Sequence, residues 1–161
     1  MNTPIPHLHF DFVDPRSWFV TKLIEADEAL IPATIVWSGF ETRPPPTAMV
    51  SQDDPALNDL WSEAYAIAAE LKITLNPPPL VPWTRKAHEL ALHAEGSGAG
   101  PQLRRSIFEG YFMDGLDIGR VDVLVEIARA TGLDPTEAKA VLDVDRFQAD
   151  VVQIQAEAMQ R

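Results

Sequence analysis

Only two segments of this 161-residue sequence have the residue pattern of β-strands, and both lie in its first quarter. Residues 8–12 alternate apolar with polar side chains, and residues 34–40 are mainly β-branched and aromatic. Between them, Asp14-Pro15 predicts a helix start, because an N-cap carboxylate accepts free amides and proline lacks an amide hydrogen. The predicted helix continues to about residue 29. The sequence therefore predicts one parallel strand–helix–strand unit.

The remaining sequence predicts helices separated by proline and glycine. Residues 41–53 include three consecutive prolines and predict a loop. We expect a mostly helical α/β protein with a strand–helix–strand unit at 1–50, a helical domain at 51–145 and a last helix from 146. Two parallel strands alone leave backbone groups unpaired on both edges, so further strands are expected from a partner or a further segment. The later helices are predicted at 54–71, 84–95, 101–113, 118–131, 135–142 and 146–161.

Charge and hydropathy exclude several classes of function. The net charge is −11, and the basic pairs Arg85-Lys86 and Arg104-Arg105 are interpreted as solvated helix faces beside acidic residues. A nucleic acid is therefore not an expected partner. No apolar run approaches the roughly 20 residues that span a bilayer, and residues 1–6 do not resemble a secretory signal. No membrane partner is expected, and we predict a cytoplasmic protein.

Four segments resemble, in order, the DsbA-like proteins. They are 10–18 (FDFVDPRSW), 36–41 (VWSGFE), 84–90 (TRKAHEL) and 108–118 (FEGYFMDGLDI). They are most similar to the branch of FrnE-like proteins and 2-hydroxychromene-2-carboxylate isomerases. The resemblance implies a thioredoxin-like fold interrupted by an all-helical insertion. It also implies a second half, with two more strands and a cis-proline loop, that would follow the last helix.

The resemblance places the family's Cys-x-x-Cys positions at Asp14 and Ser17. The sequence contains no cysteine, so its own residues cannot exchange thiols and disulfides. By resemblance, Asp14 and Ser17 are the candidate catalytic residues, Arg16 and Trp18 are candidate ligand-binding residues, and glutathione is a candidate ligand. In the isomerase branch a serine hydroxyl at the first position contacts the glutathione thiolate. An ionised Asp14 has no proton to donate and would repel a thiolate. The alternative is structural: an N-cap, a first-turn residue and a solvated arginine.

Other polar residues have weaker functional interpretations. His7, His9 and Asp11 would share a strand face and could bind a transition metal, but no fourth ligand is placed, and we predict no metal site. His88 is interpreted as a core or boundary histidine with a structural hydrogen bond. The tryptophans are expected in the core or along an apolar groove.

Two classes of function therefore stay open. An isomerase-like enzyme acting on a small aromatic or thiol-bearing molecule predicts a concave pocket near Asp14 and glutathione binding. A non-catalytic binding or assembly module predicts a capped, pocketless helix start and a homo-oligomer formed through exposed sheet edges.

Overall fold

The computed structural model describes residues 5–26 and 35–161. Strand β1 (His7–Phe10), helix α1 (Pro15–Ala26) and strand β2 (Val36–Gly39) form the predicted strand–helix–strand unit. The strands pair in parallel, from His7 beside Val36 to Phe10 beside Gly39. β1 ends two residues earlier than predicted, because the chain turns where the Asp14 amide donates to the Asp11 carbonyl (3.1 Å). The predicted end of the first helix and start of the second strand fall partly in 27–34, outside the described residues.

The proline-rich loops contain a small sheet that the sequence did not predict. Strand β3 (Val50–Ser51) pairs antiparallel with strand β4 (Leu80–Val81). Each strand has only two residues, too few for the alternation that identifies strands in sequence. Between them, a 3-10 turn (Pro55–Leu57) leads into helix α2 (Asn58–Leu71). The Asp54 carboxylate accepts the Ala56 amide at 2.8 Å, so this Asp-Pro pair starts a helical turn as predicted.

Five further helices confirm the helical prediction for the rest of the chain. The Asp134 carboxylate caps the fourth of them by accepting the Thr136 amide at 2.8 Å. The helices are α3 (Arg85–Glu95), α4 (Gly100–Phe112), α5 (Val121–Ala130), α6 (Pro135–Asp143) and α7 (Gln148–Ala158). Gly115 and Gly132 have positive φ and follow the ends of α4 and α5, where the sequence indicated breaks between helices.

One hydrophobic core joins the strand–helix–strand unit to the helices. Trp18 of α1 stacks on Phe112 of α4, with ring centroids 5.0 Å apart and planes inclined by 6°. Phe12 and Phe108 pack at 5.0 Å beside them, and all four side chains are at most 1% exposed. Aromatic burial of this extent dominates core energetics. The division at residues 50 and 145 stays a prediction, since both parts contribute to this core.

Helix α7 closes one side of β2. The Gln155 side chain accepts the Glu41 amide at 2.8 Å and donates to the Glu41 carbonyl at 3.1 Å. The Phe40 amide, one residue earlier, instead donates to the Phe10 carbonyl on the β1 side (2.8 Å). The Gln155 amide therefore takes the place of a neighbouring strand where β2 leaves the sheet.

Among the residues that the structure describes, no helix has both the length and the apolar character needed to cross a membrane. The cytoplasmic location stays a prediction.

Candidate functional site

Helix α1 begins with a fully formed N-cap at Asp14. Oδ1 of the carboxylate accepts the Arg16 amide at 3.2 Å, and Oδ2 accepts the Ser17 amide at 3.1 Å. The Ser17 hydroxyl also donates to Oδ2 at 2.7 Å. A carboxylate has about four acceptor positions. These three bonds therefore leave Asp14 with about one acceptor position for a further donor.

The Ser17 hydroxyl forms two hydrogen bonds within the turn between β1 and α1. It accepts the Asp11 amide at 3.2 Å while donating to Asp14, and the residue is 9% exposed. Ser17 thus links the end of β1 to the start of α1. In this position it orients Asp14 rather than facing open space.

Arg16 and Trp18 lie on different sides of the same helix start. The Arg16 guanidinium forms an ion pair with Glu63 of α2 at 2.6 Å, and both side chains are about half exposed. Trp18 is 1% exposed and packs against the core rings. Of the four residues predicted from the sequence, Asp14 lines a cleft.

That cleft, which we call the Asp14 cleft, has a volume of about 250 Å³. Its polar wall includes Asp14, Thr42, Arg43 and Gln52. Among the described residues, the Arg43 guanidinium has no carboxylate partner within ion-pair distance. The remaining wall is apolar or aromatic and consists of Val13, Leu57, Leu60, Trp61 and Val81.

Two buried polar atoms in the cleft lining have no hydrogen-bond partner among the described residues. They are the acceptor Gln52 Oε1 and the donor Trp61 Nε1. The Gln52 Nε2 group donates to the hydroxyl of Tyr111. Tyr111 is fully buried, and burial raises the pKa of its hydroxyl, so this group stays protonated. Unpaired buried polar atoms are uncommon in proteins, and a water molecule or a ligand in the cleft would satisfy this acceptor and this donor.

Sequence reasoning missed Thr42, Arg43 and Gln52 because all three lie in the predicted loop. A topological signal could have found the first two. The carboxyl ends of adjacent parallel strands meet at one edge of a sheet, where ligands commonly bind. Asp14 follows β1 and Thr42-Arg43 follows β2, so the parallel pairing places them at the same edge.

Behind the cleft, a buried polar network joins the two strand ends to α3. The Asp11 carboxylate accepts the amide and the hydroxyl of Thr42, both at 2.7 Å, and lies 3.2 Å from Nε2 of His88. Asp11 is 2% and His88 3% exposed. Burial raises the pKa of Asp11, but the bond and charge of His88 and the two Thr42 bonds outweigh it, so the pKa is lowered. The predicted structural role of His88 is consistent with this geometry.

The suggested His7–His9–Asp11 face does not form. β1 ends at Phe10, so Asp11 turns into the interior, while His7 and His9 stay exposed with ring centroids 6.2 Å apart. His7 Nδ1 lies 3.2 Å from the Ser38 hydroxyl. Within 5–26 and 35–161, no group of three or more residues of metal-ligating type comes together.

The domain match decides the family. Residues 7–161 match the DSBA-like thioredoxin domain. This chain belongs to the DSBA-like thioredoxin domain family. The DSBA-like assignment agrees with the resemblance seen in the sequence and with the mostly helical α/β fold.

Known proteins similar to this DSBA-like chain include one curated relative and two solved structures. The uncharacterized protein YwbO of Bacillus subtilis is 28% identical over 118 residues, which are 71% of this chain and 59% of YwbO. A probable DsbA oxidoreductase from Streptomyces coelicolor is 21% identical, with a TM-score of 0.78 over 96% of this chain and 74% of that one. A structure from Nitrosomonas europaea described as a protein disulfide isomerase is 11% identical, with a TM-score of 0.74 over 98% and 79%. The chain thus spans about three-fifths of the curated relative that it matches, and the structural likeness supports the fold.

Within this DSBA-like fold, the position that the resemblance assigns to the first cysteine is Asp14. The sequence has no cysteine at any position. A helix N-terminus that stabilises a thiolate in the redox proteins here stabilises a carboxylate of the chain itself.

Proposed function

We propose that this DSBA-like chain binds a small thiol-bearing ligand, of which glutathione is the candidate, in the Asp14 cleft and performs no thiol–disulfide exchange. One observation carries the proposal: a cleft beside the capped start of α1 contains two buried polar atoms without a partner among the described residues. The FrnE and isomerase branch of the sequence resemblance supplies the ligand class.

The charges in the cleft define how such a ligand would be bound. Asp14 has about one acceptor position left and therefore takes a donor, such as a protonated thiol or an ammonium group. Arg43 presents a guanidinium without a carboxylate partner among the described residues, and guanidinium groups bind carboxylates bidentately. Glutathione carries both kinds of group. The proposed ligand is held by its thiol at one end and by a carboxylate at the other.

The cleft volume limits how much of the ligand is enclosed. About 250 Å³ is below the roughly 300–1,000 Å³ of pockets that bury a whole drug-sized molecule. We expect the cysteinyl group and one carboxylate to lie inside, with the rest of the peptide on the surface. Trp61 would contact the enclosed part.

The proposal is for binding of the protonated thiol. Glutathione-dependent isomerisation requires a thiolate, and a carboxylate at position 14 disfavours a second negative charge nearby. In this proposal Asp14 contacts the ligand, Ser17 positions Asp14, and Arg16 and Trp18 stabilise the helix start. The isomerase-like activity suggested by resemblance is expected only when a neutral donor replaces Asp14.

Calorimetric titration with glutathione and S-methylglutathione tests this proposal. Methylation removes the thiol hydrogen, so we expect about two- to ten-fold weaker binding, the value of one hydrogen bond. Asp14→Ser should allow the thiolate and lower the pKa of the bound thiol, measured by its ultraviolet absorbance. Asp134→Ser is the matched control, because Asp134 caps α6 in the same Asp-Pro context.

The Trp61 fluorescence reports where the ligand binds. Glutathione should quench emission in the natural chain and leave that of Trp61→Phe unchanged. A chain that gives no heat and no quenching with glutathione would show that the Asp14 cleft is not a site for this ligand.

Assembly through the sheet is a separate proposal about partners. Among the described residues, β1 and β2 each pair with one strand only, and such edges can pair with a second copy. Light scattering distinguishes the outcomes: a dimer supports edge pairing, and a monomer at all concentrations contradicts it.

A further inference from the structure

A second cavity lies on the other side of the strand–helix–strand unit, between β2, α3, α4 and α7. Its volume is about 30 Å³, room for about two water molecules or one carboxylate group. The wall of this Arg104 cavity contains Arg104, His88 and Glu95 as its charged or titratable groups. The rest of the lining is Phe10, Trp37, Gly39, Ala91, Leu92, Val151 and Ile154.

Arg104 is unusually buried for an arginine. The residue is 5% exposed, and its guanidinium carbon lies 3.9 Å from the centroid of the Trp37 ring. The basic pair was interpreted from sequence as a solvated face, which is wrong for Arg104: α4 turns this side chain inward onto β2, while Arg105 stays half exposed. The position of Arg104 therefore places a permanent positive charge in the interior.

The charge of Arg104 is only partly compensated. Among the described residues its ion pair is with Glu95, at 3.3 Å, and the Glu95 side chain is 53% exposed. Arg104 Nε is buried and has no hydrogen-bond partner among the described residues. Burial lowers the pKa of Arg104 even though Glu95 opposes the shift. A buried cation with an unpaired N–H donor can bind an anion that accepts from that donor, which Glu95 does not.

We propose that the Arg104 cavity encloses the carboxylate group of a small aliphatic acid, whose short alkyl end lies toward the cavity opening, and that this carboxylate pairs with the Arg104 guanidinium in place of Glu95. A carboxylate can accept two parallel bonds from a guanidinium, including the unpartnered Nε–H. The apolar side chains of Phe10, Val151 and Ile154 suit a short alkyl chain and not a hydrated inorganic ion. This site is separate from the Asp14 cleft and does not depend on the function proposed for it.

Propionate is the probe, and propionamide, which has nearly the same shape without the charge, is its control. At fixed ionic strength, propionate should change the tryptophan emission saturably, because the ligand binds the cation that covers the Trp37 ring. The change should be lost in Trp37→Phe and absent with propionamide. An equal response to propionamide or to chloride, or a response that survives Trp37→Phe, would overturn the proposal.

Two variants test the role of the charged residues. Arg104→Met should abolish binding, but it changes a buried group and can affect folding. Glu95→Gln alters a half-exposed side chain and removes the internal competitor, so propionate should bind about two- to five-fold more tightly. Unchanged or weaker binding in Glu95→Gln refutes the pairing with Arg104. Arg43→Gln should leave the propionate response intact, and loss of the response there would assign it to the Asp14 cleft.

Discussion

Removal of the Asp11 carboxylate is the most direct test of how this fold is held together. Asp11→Ala deletes two bonds of 2.7 Å from Thr42 and one contact of 3.2 Å with His88. The His88 ring, 3% exposed, would lose its buried partner. A hydrogen bond to a charged group contributes about 1.5–3 kcal/mol, so the loss of these three contacts should cost about 3–5 kcal/mol of the free energy of unfolding. For a chain of this size that is roughly a 10 °C fall in melting temperature.

Urea unfolding followed by circular dichroism measures the loss. Asp11→Asn should cost about 1–2 kcal/mol, because its oxygen still accepts the Thr42 donors but without the charge. Asp143→Ala is the control: this carboxylate pairs with Lys139 on an exposed helix surface, and its loss should stay within about 0.5 kcal/mol. If Asp11→Ala loses less than about 1 kcal/mol, the network is not a principal source of stability and the reasoning fails.

The pH dependence of the same variant gives an independent check. The pKa of Asp11 is lower in the folded chain than in the unfolded one. Its stabilising contribution is therefore complete above the unfolded value, about 3.9, and is lost as the pH falls through the folded pKa. The stability difference between the natural chain and Asp11→Ala should narrow below about pH 4. A difference that widens in acid would contradict the assignment.

Three further substitutions test other contacts by the same unfolding measurement. Gly39→Ala would place a methyl carbon 2.5 Å from the imidazole of His88 and should cost about 1–3 kcal/mol of the free energy of unfolding. Its control is Gly96→Ala, which should be nearly neutral because the nearest atom to the added carbon is 3.4 Å away. Gln155→Ala removes both bonds to the Glu41 backbone and should cost about 1–3 kcal/mol; a neutral result would show that water replaces them. Trp18→Ala empties a fully buried site and should cost about 3–5 kcal/mol, and a smaller loss would mean that the neighbouring rings close over the gap.

The helical part of the fold could be predicted from sequence because its signals are local. The Asp-Pro pairs at 14, 54 and 134 each mark a helical start, and glycines mark several ends. Helix α4 was predicted at 101–113 and is observed at Gly100–Phe112. Strands β3 and β4 were missed because their pairing joins residues about thirty positions apart, and two residues show no period.

The site was predicted less completely because its contacts are not local. Asp14 was identified, but the groups opposite it, Arg43 and Gln52, lie in a loop whose path the sequence does not fix. The partnership of Asp11 with His88 spans 77 positions and leaves no spacing pattern. Arg104 was assigned to a solvated helix face for the same reason, because an arginine on a helix is usually exposed and the sequence does not show which residues surround it.

The amide of Gln155 also limits the flank of the sheet on which a further strand can pair. Where β2 ends, the backbone of Glu41 already has its donor and its acceptor occupied by a side chain of α7. A strand arriving on that flank would have to displace the helix first. Among the described residues β1 pairs with no strand on its other flank, so any added strand, whether from a second copy or from another segment, is expected to join there. Helix α7 thus determines which flank of the sheet an added strand can join.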